Sequence, residues 1–373
     1  MRVVISGQMP PPIGGQNLNV KRFYDLLDSE PEIQAEHWRM EFTKSTKSFR
    51  KFGLRKLVEL VRVVFRLCKL RSGGKMDVII YSTGGPHLVP IIRDIILLPM
   101  ACMMSEKVWV HFQAAGIAKK LLTLNPILRW LLKRVHGMCY GGLALSAYGK
   151  EDPVSLGMQM IDVLYNGLED HAATQANPVN EKPTKKKEQE TVMLYVGHIC
   201  EDKGVPVLIR AFAKLSKNYP DLRLRLVGQC LTPYTQDQLE DEIGCSKVGE
   251  KIQVTGLLMG DALQREYRDA DMVVFPSVAP YESFGLVLVE AMIWKRPIIT
   301  SHWRAAGEVM GDNPGGICYE IGNSHEAALE KALLQVMESR ESWPRWGKMN
   351  RQRYEKLFSI RCLRTNLLNI INK

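Results

Sequence analysis

Short runs of apolar residues alternate with longer amphipathic stretches along most of the chain. The clearest runs predict strands at Arg2–Ser6, Asp77–Ser82, Lys107–His111, Val192–Val196, Arg223–Val227, Lys251–Thr255, Met272–Phe275 and Pro297–Thr300. They are rich in Val, Ile and Leu and show little in–out alternation, as expected of strands that are covered on both faces. Strands that alternate with helices in this way indicate βαβ units and parallel sheets.

A polar stretch at residues 170–191 interrupts this pattern. It contains two prolines and no apolar periodicity, which is typical of a linker or an exposed loop. We therefore predict an α/β fold with two facing Rossmann-like domains, each with a parallel sheet, and a cleft between them. The predicted boundaries are 1–170 for an N-terminal Rossmann-like domain, 171–191 for the linker, 192–345 for a C-terminal Rossmann-like domain, and 346–373 for a C-terminal helix able to pack back on the N-terminal domain.

The composition is that of a globular protein. Of the 373 residues, 46% are hydrophobic and 24% are charged, which excludes a disordered, collagenous or coiled-coil chain. The longest apolar run, near residues 95–104, is shorter than the roughly 20 residues that span a bilayer, and the N-terminus lacks the apolar stretch of a signal peptide. Because the eight cysteines form no C-x-x-C pair, we expect reduced thiols and a cytoplasmic protein.

The positive charge is concentrated in the first part of the chain. Residues 1–150 hold 23 Lys and Arg against 10 Asp and Glu, whereas the remainder holds 27 against 30. Two basic segments, 44–75 and 118–136, contain apolar residues at helical spacing. Helices of this kind bind anionic bilayers, so we predict peripheral attachment to the inner face of the membrane. The alternative is that both helices pack their apolar stripes against the N-terminal sheet and leave a solvated basic face.

Ligands of open parallel sheets bind beyond the carboxyl ends of the strands, so the loops that follow strands are the candidate sites. Gly14 and Gly15 lie in such a loop before a helix predicted from about Asn17, where positive φ and free N–H groups suit an anion; the alternative is a simple tight turn. His111 ends a strand and can donate to a ligand hydroxyl, or it is a structural histidine. His198 and Lys203 lie on a loop before the next helix, where Lys203 suits a diphosphate, or is a surface lysine.

The segment YESFGLVLVE, residues 281–290, carries the remaining candidates. We predict that a helix starts near Ser283, so that first-turn N–H groups, including those of Phe284, Gly285 and Leu286, can bind phosphate oxygens. Glu282 and Glu290 are eight residues apart, about 12 Å along a helix, and can reach opposite ends of an extended ligand. The alternative is that both are solvated acids, which the apolar run VLVEAMIW around Glu290 argues against.

Together these segments resemble the retaining GT-B glycosyltransferases of family 4. The specific element is the E-x7-E motif, Glu282 and Glu290, within PSVAPYESFGLVLVEAMIWKRPII. The similarity extends over about residues 192–323 and includes LRLVG at 224–228 and GGICYEIGN at 315–323. The N-terminal half matches more loosely, through the Gly-Gly loop, His111 and YNG at 165–167.

The resemblance implies a role for each candidate. Glu282 contacts hydroxyls of the donor sugar, and Glu290 holds the nucleotide ribose. The N–H groups of Phe284, Gly285 and Leu286 bind the diphosphate, which Lys203 neutralises. Gly14 and Gly15 let their loop close on the phosphates and the sugar, and His111 hydrogen-bonds the transferred sugar. His198 stands where the family usually has Arg, and the segment before Glu308 lacks the usual Gly-Gly pair.

The resemblance further implies transfer of a sugar from a nucleotide diphosphate-sugar to a glycan or lipid-linked acceptor, in surface polysaccharide or glycolipid biosynthesis. It implies that domain 1–170 binds the acceptor and that domain 192–345 binds the nucleotide-sugar. No metal and no cofactor are expected, and no nucleic acid partner. Two alternatives remain. A GT-B nucleotide-sugar epimerase consumes donor without acceptor, and a nucleic-acid-binding protein uses the basic half but leaves residues 281–290 without an explanation.

Overall fold

The computed structural model describes residues 1–11, 14–41, 54–174, 190–312 and 314–373, without the side chains of residues 54–57. The described chain divides into two compact units, which are Met1–Asn166 with Leu363–Lys373, and Gly167–Cys362. Each unit contains a parallel sheet flanked by helices, which confirms the predicted α/β class and its two Rossmann-like sheets. Most of the predicted linker, residues 175–189, lies outside the described residues.

The first unit is built on a sheet of six described strands. These are β1 (Arg2–Gly7), β2 (Gln34–Arg39), β3 (Met76–Ser82), β4 (Ser105–Phe112), β5 (Gly141–Ala144) and β6 (Ile161–Val163). The helices are α1 (Gly15–Asp28), α2 (Leu54–Ser72), α3 (Leu88–Met104), α4 (Ile117–Thr123), α5 (Pro126–His136) and α6 (Glu151–Ser155). The strand order is β2-β1-β3-β4-β5-β6, and neighbouring strands are parallel.

Three strands of this unit are absent from the predicted set, and their residues explain why. β2 has the polar sequence QAEHWR and lies at the edge of the sheet. β6 has only three residues. β5 begins with two glycines, and a Cβ on Gly141 would lie 2.4 Å from the ring of Trp109. Close packing against Trp109 therefore selects glycine there, against its low strand propensity.

The second unit repeats the architecture. Its described strands are β7 (Thr191–Val196), β8 (Leu222–Val227), β9 (Ile252–Gly256), β10 (Met272–Phe275), β11 (Ile298–Ser301) and β12 (Gly316–Tyr319). Its helices are α7 (His171–Thr174), α8 (Val205–Leu215), α9 (Gln236–Cys245), α10 (Asp261–Asp269), α11 (Leu286–Ile293), α12 (Ala306–Met310), α13 (His325–Glu338) and α14 (Trp343–Arg353). The last helix, α15 (Ile360–Ile371), begins in the second unit and continues into the first.

The strand order of the second sheet is β12-β11-β10-β7-β8-β9. Counted from β7, this is 6-5-4-1-2-3, the order of the doubly wound dinucleotide-binding folds. The order reverses between β7 and β10, so the loops after these two strands leave the sheet edge in opposite directions and open a crevice. Ligands of such sheets bind there, and this is where the sequence places Lys203 and Glu282.

The end of the chain belongs to the first unit from Leu363 onward. Arg364 forms an ion pair with Glu30, and the Lys373 ammonium lies 2.7 Å from the Asp162 carboxylate. Among the helices in the described part of the chain, none combines the length and the apolar character that crossing a bilayer requires.

We expect Gly204→Ala to destabilise the second unit. Gly204 has φ +72°, and a Cβ there would lie 2.2 Å from the backbone oxygen of Pro276. Both the strained φ and the clash cost free energy, so the free energy of unfolding should fall by about 2 kcal/mol or more. Urea unfolding measures this, with Gly244→Ala in α9 as the control. A Cβ on Gly244 has open space, so that variant should gain roughly 0.5–1 kcal/mol. Equal urea midpoints for the two variants would contradict the role given to Gly204.

Candidate active site

Two backbone loops meet at the switch point of the second sheet. Residues 197–204 follow β7, and residues 276–285 follow β10. The N–H of Val278 donates to the carbonyl oxygen of Asp202 over 2.8 Å, and Gly204 lets the backbone of Pro276 approach. The two loops are therefore fixed to each other by main-chain contacts before any side chain is considered.

Lys203 lies at the centre of this junction and is 9% exposed. Its ammonium forms an ion pair with the Glu282 carboxylate and lies 5.4 Å from the ring centroids of both Phe275 and Tyr281. A mostly desolvated cation is stabilised by an opposite charge and by aromatic faces. The structure thus brings together two predicted residues, Lys203 and Glu282, and adds two aromatic rings.

His198 is on the same loop, five residues before Lys203. The hydroxyl of Tyr195 donates to the backbone oxygen of His198 over 2.6 Å and so fixes the loop at this point. Neighbouring protein atoms that displace water, and then the charge of Lys203, lower the pKa of the His198 ring. The ring is therefore neutral at pH 7 and leaves Lys203 as the cation of this loop.

The helix after the second loop begins later than predicted. α11 starts at Leu286, not near Ser283, because Gly285 adopts φ +82° in the left-handed region and cannot continue a helix backwards. Ser283 and Phe284 therefore belong to the loop. The estimate of about 12 Å between Glu282 and Glu290 along one helix is wrong for the same reason, since Glu282 precedes the helix. Leu286 is the first helical residue, so its N–H has no partner within the helix.

Phe284 and Glu290 are held by side chains that the sequence did not indicate. The Phe284 ring is buried and packs edge-on against Phe358, with centroids 5.7 Å apart. The Glu290 carboxylate accepts a hydrogen bond of 2.6 Å from the hydroxyl of Tyr267. Burial, and next the charge of Glu290, raise the pKa of Tyr267 well above its usual value, so this hydroxyl keeps its proton and remains a donor.

The glycines of the first unit differ from the prediction in one respect. Gly14 has φ −169°, which is extended, and Gly15 is the first residue of α1, so neither adopts the positive φ that we expected. The helix also begins two residues earlier than predicted. A Cβ on Gly14 would meet no atom within 4 Å, so the position is open to solvent at the N-terminus of α1.

His111 lies near the end of β4, as predicted, but it is fully buried. Its ring packs on Phe23 with centroids 4.9 Å apart. Neither ring nitrogen has a hydrogen-bond partner among the described residues. Burial lowers the pKa of His111 to about 3, so the ring is neutral at physiological pH.

The sequence-predicted set omitted Phe275, Tyr281 and Tyr267. Tyr281 is adjacent to Glu282 in sequence, which is a usable signal, whereas the contact of Tyr267 with Glu290 joins α10 to α11 and needs the fold. Within the described residues, no group of three or more His, Cys, Asp or Glu side chains is arranged to hold a metal ion.

The sequence of this chain is similar to those of known glycosyltransferases. Residues 177–353 match the family model for glycosyl transferases group 1. Phosphatidyl-myo-inositol mannosyltransferase of Mycobacterium tuberculosis is 27% identical over 243 residues, which are 63% of this chain and 61% of that protein. The alignments with this and two other curated relatives span 38–61% of the relatives' lengths.

Two solved structures share the fold of the whole chain. Sucrose-phosphate synthase from Thermosynechococcus elongatus has a TM-score of 0.76 at 16% identity and covers 100% of this chain and 98% of its own. HepE of Anabaena, solved in complex with UDP and glucose, has a TM-score of 0.69 at 16% identity, with 100% of both chains covered. The likeness shows that the fold is that of the GT-B proteins.

We expect the buried His111 to make stability depend on pH. The unfolded chain binds a proton at this ring near pH 6.5, whereas the folded chain does so only near pH 3. Protonation therefore favours the unfolded state, and stability falls as the pH drops below about 6.5, at up to about 1.4 kcal/mol per pH unit. Urea unfolding of the wild type and His111→Phe at about pH 7 and about pH 5 measures this. The variant should lose less stability than the wild type between the two pH values. Equal losses in the two proteins would show that His111 does not cause the pH dependence.

Proposed function

We propose that this chain, whose residues 177–353 match the family model for glycosyl transferases group 1, transfers a sugar from a nucleoside diphosphate-sugar to an acceptor, with retention at the anomeric carbon, as in family 4. The observation that carries this proposal is the Lys203–Glu282 pair at the switch point of the second sheet. A cation and a carboxylate lie together there, beside the N-terminus of α11, where an anionic ligand is stabilised.

The chemistry of the leaving group explains the arrangement. A departing nucleoside diphosphate gains negative charge, which Lys203 and the N–H groups of Phe284, Gly285 and Leu286 stabilise. When the diphosphate binds the Lys203 ammonium, the Glu282 carboxylate is released to accept hydrogen bonds from hydroxyls of the sugar. The complex of the similarly folded HepE with UDP and glucose supports a donor of this class.

Glu290 is the remaining candidate of the second unit, and we propose that it binds the ribose hydroxyls, oriented by Tyr267. In the first unit, Gly14 and Gly15 are proposed to offer main-chain N–H groups of α1 to an anion. The ring of His111 is fully buried and presents no nitrogen to a ligand, so we assign it no contact with the sugar. We propose that His198 contributes no charge and that no metal takes part, since Lys203 and the N–H groups supply the positive potential.

The acceptor is proposed to be lipid-linked, and the surface of α2 supports this. Val58, Val61, Phe65 and Cys68 recur at helical spacing and are all exposed, Val61 at 63% and Phe65 at 69%. A different face of the helix, with Val63 and Leu67, is buried. The exposed apolar positions of α2 are therefore not the ones that pack against the core of the first unit. Residues 44–53 of the predicted basic segment 44–75 lie outside the described residues.

A second exposed apolar surface lies on α5. Ile127 and Trp130 are 69% and 63% exposed, and Lys133 and Arg134 are exposed beside them. Apolar side chains flanked by cations match the chemistry of an anionic bilayer. The mycobacterial relative is a phosphatidyl-myo-inositol mannosyltransferase, which supports a lipid acceptor. We propose a cytoplasmic enzyme bound peripherally to the inner face of the membrane.

We expect Glu282→Gln to lower kcat/KM for transfer by about 100-fold or more, because the amide cannot replace the charge that orients the sugar and balances Lys203. Lys203→Met should raise the donor KM as well. The measurement is nucleoside diphosphate release with a panel of nucleotide-sugars and a lipid-linked acceptor. Glu326→Gln is the matched control. Glu326 lies on α13, where it forms ion pairs with Arg210 and Lys214 of α8, and this variant should keep full activity.

Four outcomes would reject parts of the proposal. Equal turnover by Glu282→Gln and the wild type would remove Glu282 from the site. Loss of activity in the presence of a chelator would show that the reaction needs a metal ion. Donor consumption that needs no acceptor would favour the epimerase. Inversion at the anomeric carbon, read by NMR of the product, would reject retention.

We expect Phe65→Glu and Trp130→Glu each to weaken binding to anionic liposomes by roughly tenfold, because a carboxylate would replace an inserted apolar side chain. Co-sedimentation at physiological salt measures the bound fraction. Leu257→Glu is the control, because Leu257 is exposed on the second unit and should have no effect. Liposome binding that is equal for all four proteins would place the membrane contact elsewhere.

A further inference from the structure

Two cysteines of the first unit lie next to each other and have no part in the proposed transfer. Cys102 is near the end of α3, and Cys139 is three residues beyond α5. Their sulfur atoms are 3.8 Å apart, within S–H···S distance. Both side chains are partly exposed, so a small reagent can reach them. All eight cysteines are free thiols, and among them Cys245 is exposed and provides a reference position.

We propose that Cys102 and Cys139 form a reversible disulfide by exchange with a small-molecule disulfide such as oxidised glutathione. In the first step the Cys102 thiolate attacks one sulfur of glutathione disulfide, which forms a mixed disulfide and releases one glutathione thiolate. In the second step Cys139 loses its proton to solvent and attacks the Cys102 sulfur, which releases the second glutathione. The protein loses two electrons and two protons, and the glutathione disulfide is reduced to two thiols.

The surroundings of the two thiols favour this order of attack. Hydrogen bonding with Cys139 lowers the pKa of Cys102. The same interaction, together with burial, raises the pKa of Cys139, whose sulfur also lies 3.5 Å from the backbone oxygen of Val135. The thiolate, not the thiol, is the nucleophile, so Cys102 reacts first and Cys139 resolves the mixed disulfide.

The bond would tie the end of α3 to the end of α5. The two cysteines are 37 positions apart in sequence, so the disulfide closes a long loop and restricts the unfolded chain. α3 and α5 pack against each other in the core of the first unit, through residues that include Leu98, Ala101, Leu132 and Val135. The disulfide therefore acts on a contact that already exists and needs little movement of the helices.

The test is to incubate the full chain with oxidised glutathione or with dithiothreitol, alkylate the remaining thiols and digest with trypsin. Cleavage releases residues 94–107 and 135–150, each with a single cysteine. We expect a cross-linked pair of these two peptides, lighter by two hydrogen atoms than the sum of the free peptides, and its loss on reduction. Alkylation of both peptides after oxidation, or stable glutathione on Cys102, would overturn the proposal.

Variants give a second measurement that does not depend on the cross-linked peptide. Oxidation should raise the thermal midpoint of the wild type by roughly 5 °C. The increase should disappear in Cys102→Ser and in Cys139→Ser, and persist in Cys245→Ser. An equal increase in all four proteins would assign the effect to other thiols.

Discussion

The ion pair between Lys203 and Glu282 is the interaction on which the candidate site depends. Each residue comes from a different loop, and the two loops leave the second sheet on either side of its switch point. The main-chain bond from Val278 to Asp202 fixes the distance between the loops, and the ring centroids of Phe275 and Tyr281 each lie 5.4 Å from the ammonium. Because the cation is mostly desolvated, it must have a nearby anion, and the protein supplies Glu282 for that purpose.

The parallel sheets and the candidate loops could be predicted from the sequence, because buried parallel strands leave a clear signal of Val, Ile and Leu runs. The same signal is absent from β2 and β5. β2 is polar because it lies at an edge, and β5 begins with glycines because Gly141 packs against the ring of Trp109. In both cases a neighbouring element determines the residue, and a single-sequence pattern carries no information about that neighbour.

The candidate site divides in a similar way. Lys203, Glu282 and Glu290 could be predicted as candidates from spacing and resemblance, because each lies in a short segment that follows a predicted strand. The start of α11 could not, because the left-handed φ of Gly285 is not encoded in the apolar periodicity. The hydroxyl of Tyr267 on Glu290 joins two helices, and such contacts follow only from the fold. The face of α2 that packs on the sheet was also hidden, because Val63 and Leu67 form a second apolar face beside the exposed one.

The desolvation of Lys203 has a consequence for ligand binding. An ammonium in bulk water must lose its hydration before it can contact a phosphate, whereas most of that cost has already been met in folding. A diphosphate that replaces Glu282 at Lys203 therefore exchanges one anion for another, and the free energy of binding depends on the difference between the two contacts. The displaced carboxylate must then find hydrogen-bond donors of its own, which a hydroxylated sugar provides. In the proposed donor complex the pair would couple recognition of the diphosphate to recognition of the sugar, because neither half of the ligand alone satisfies both charges.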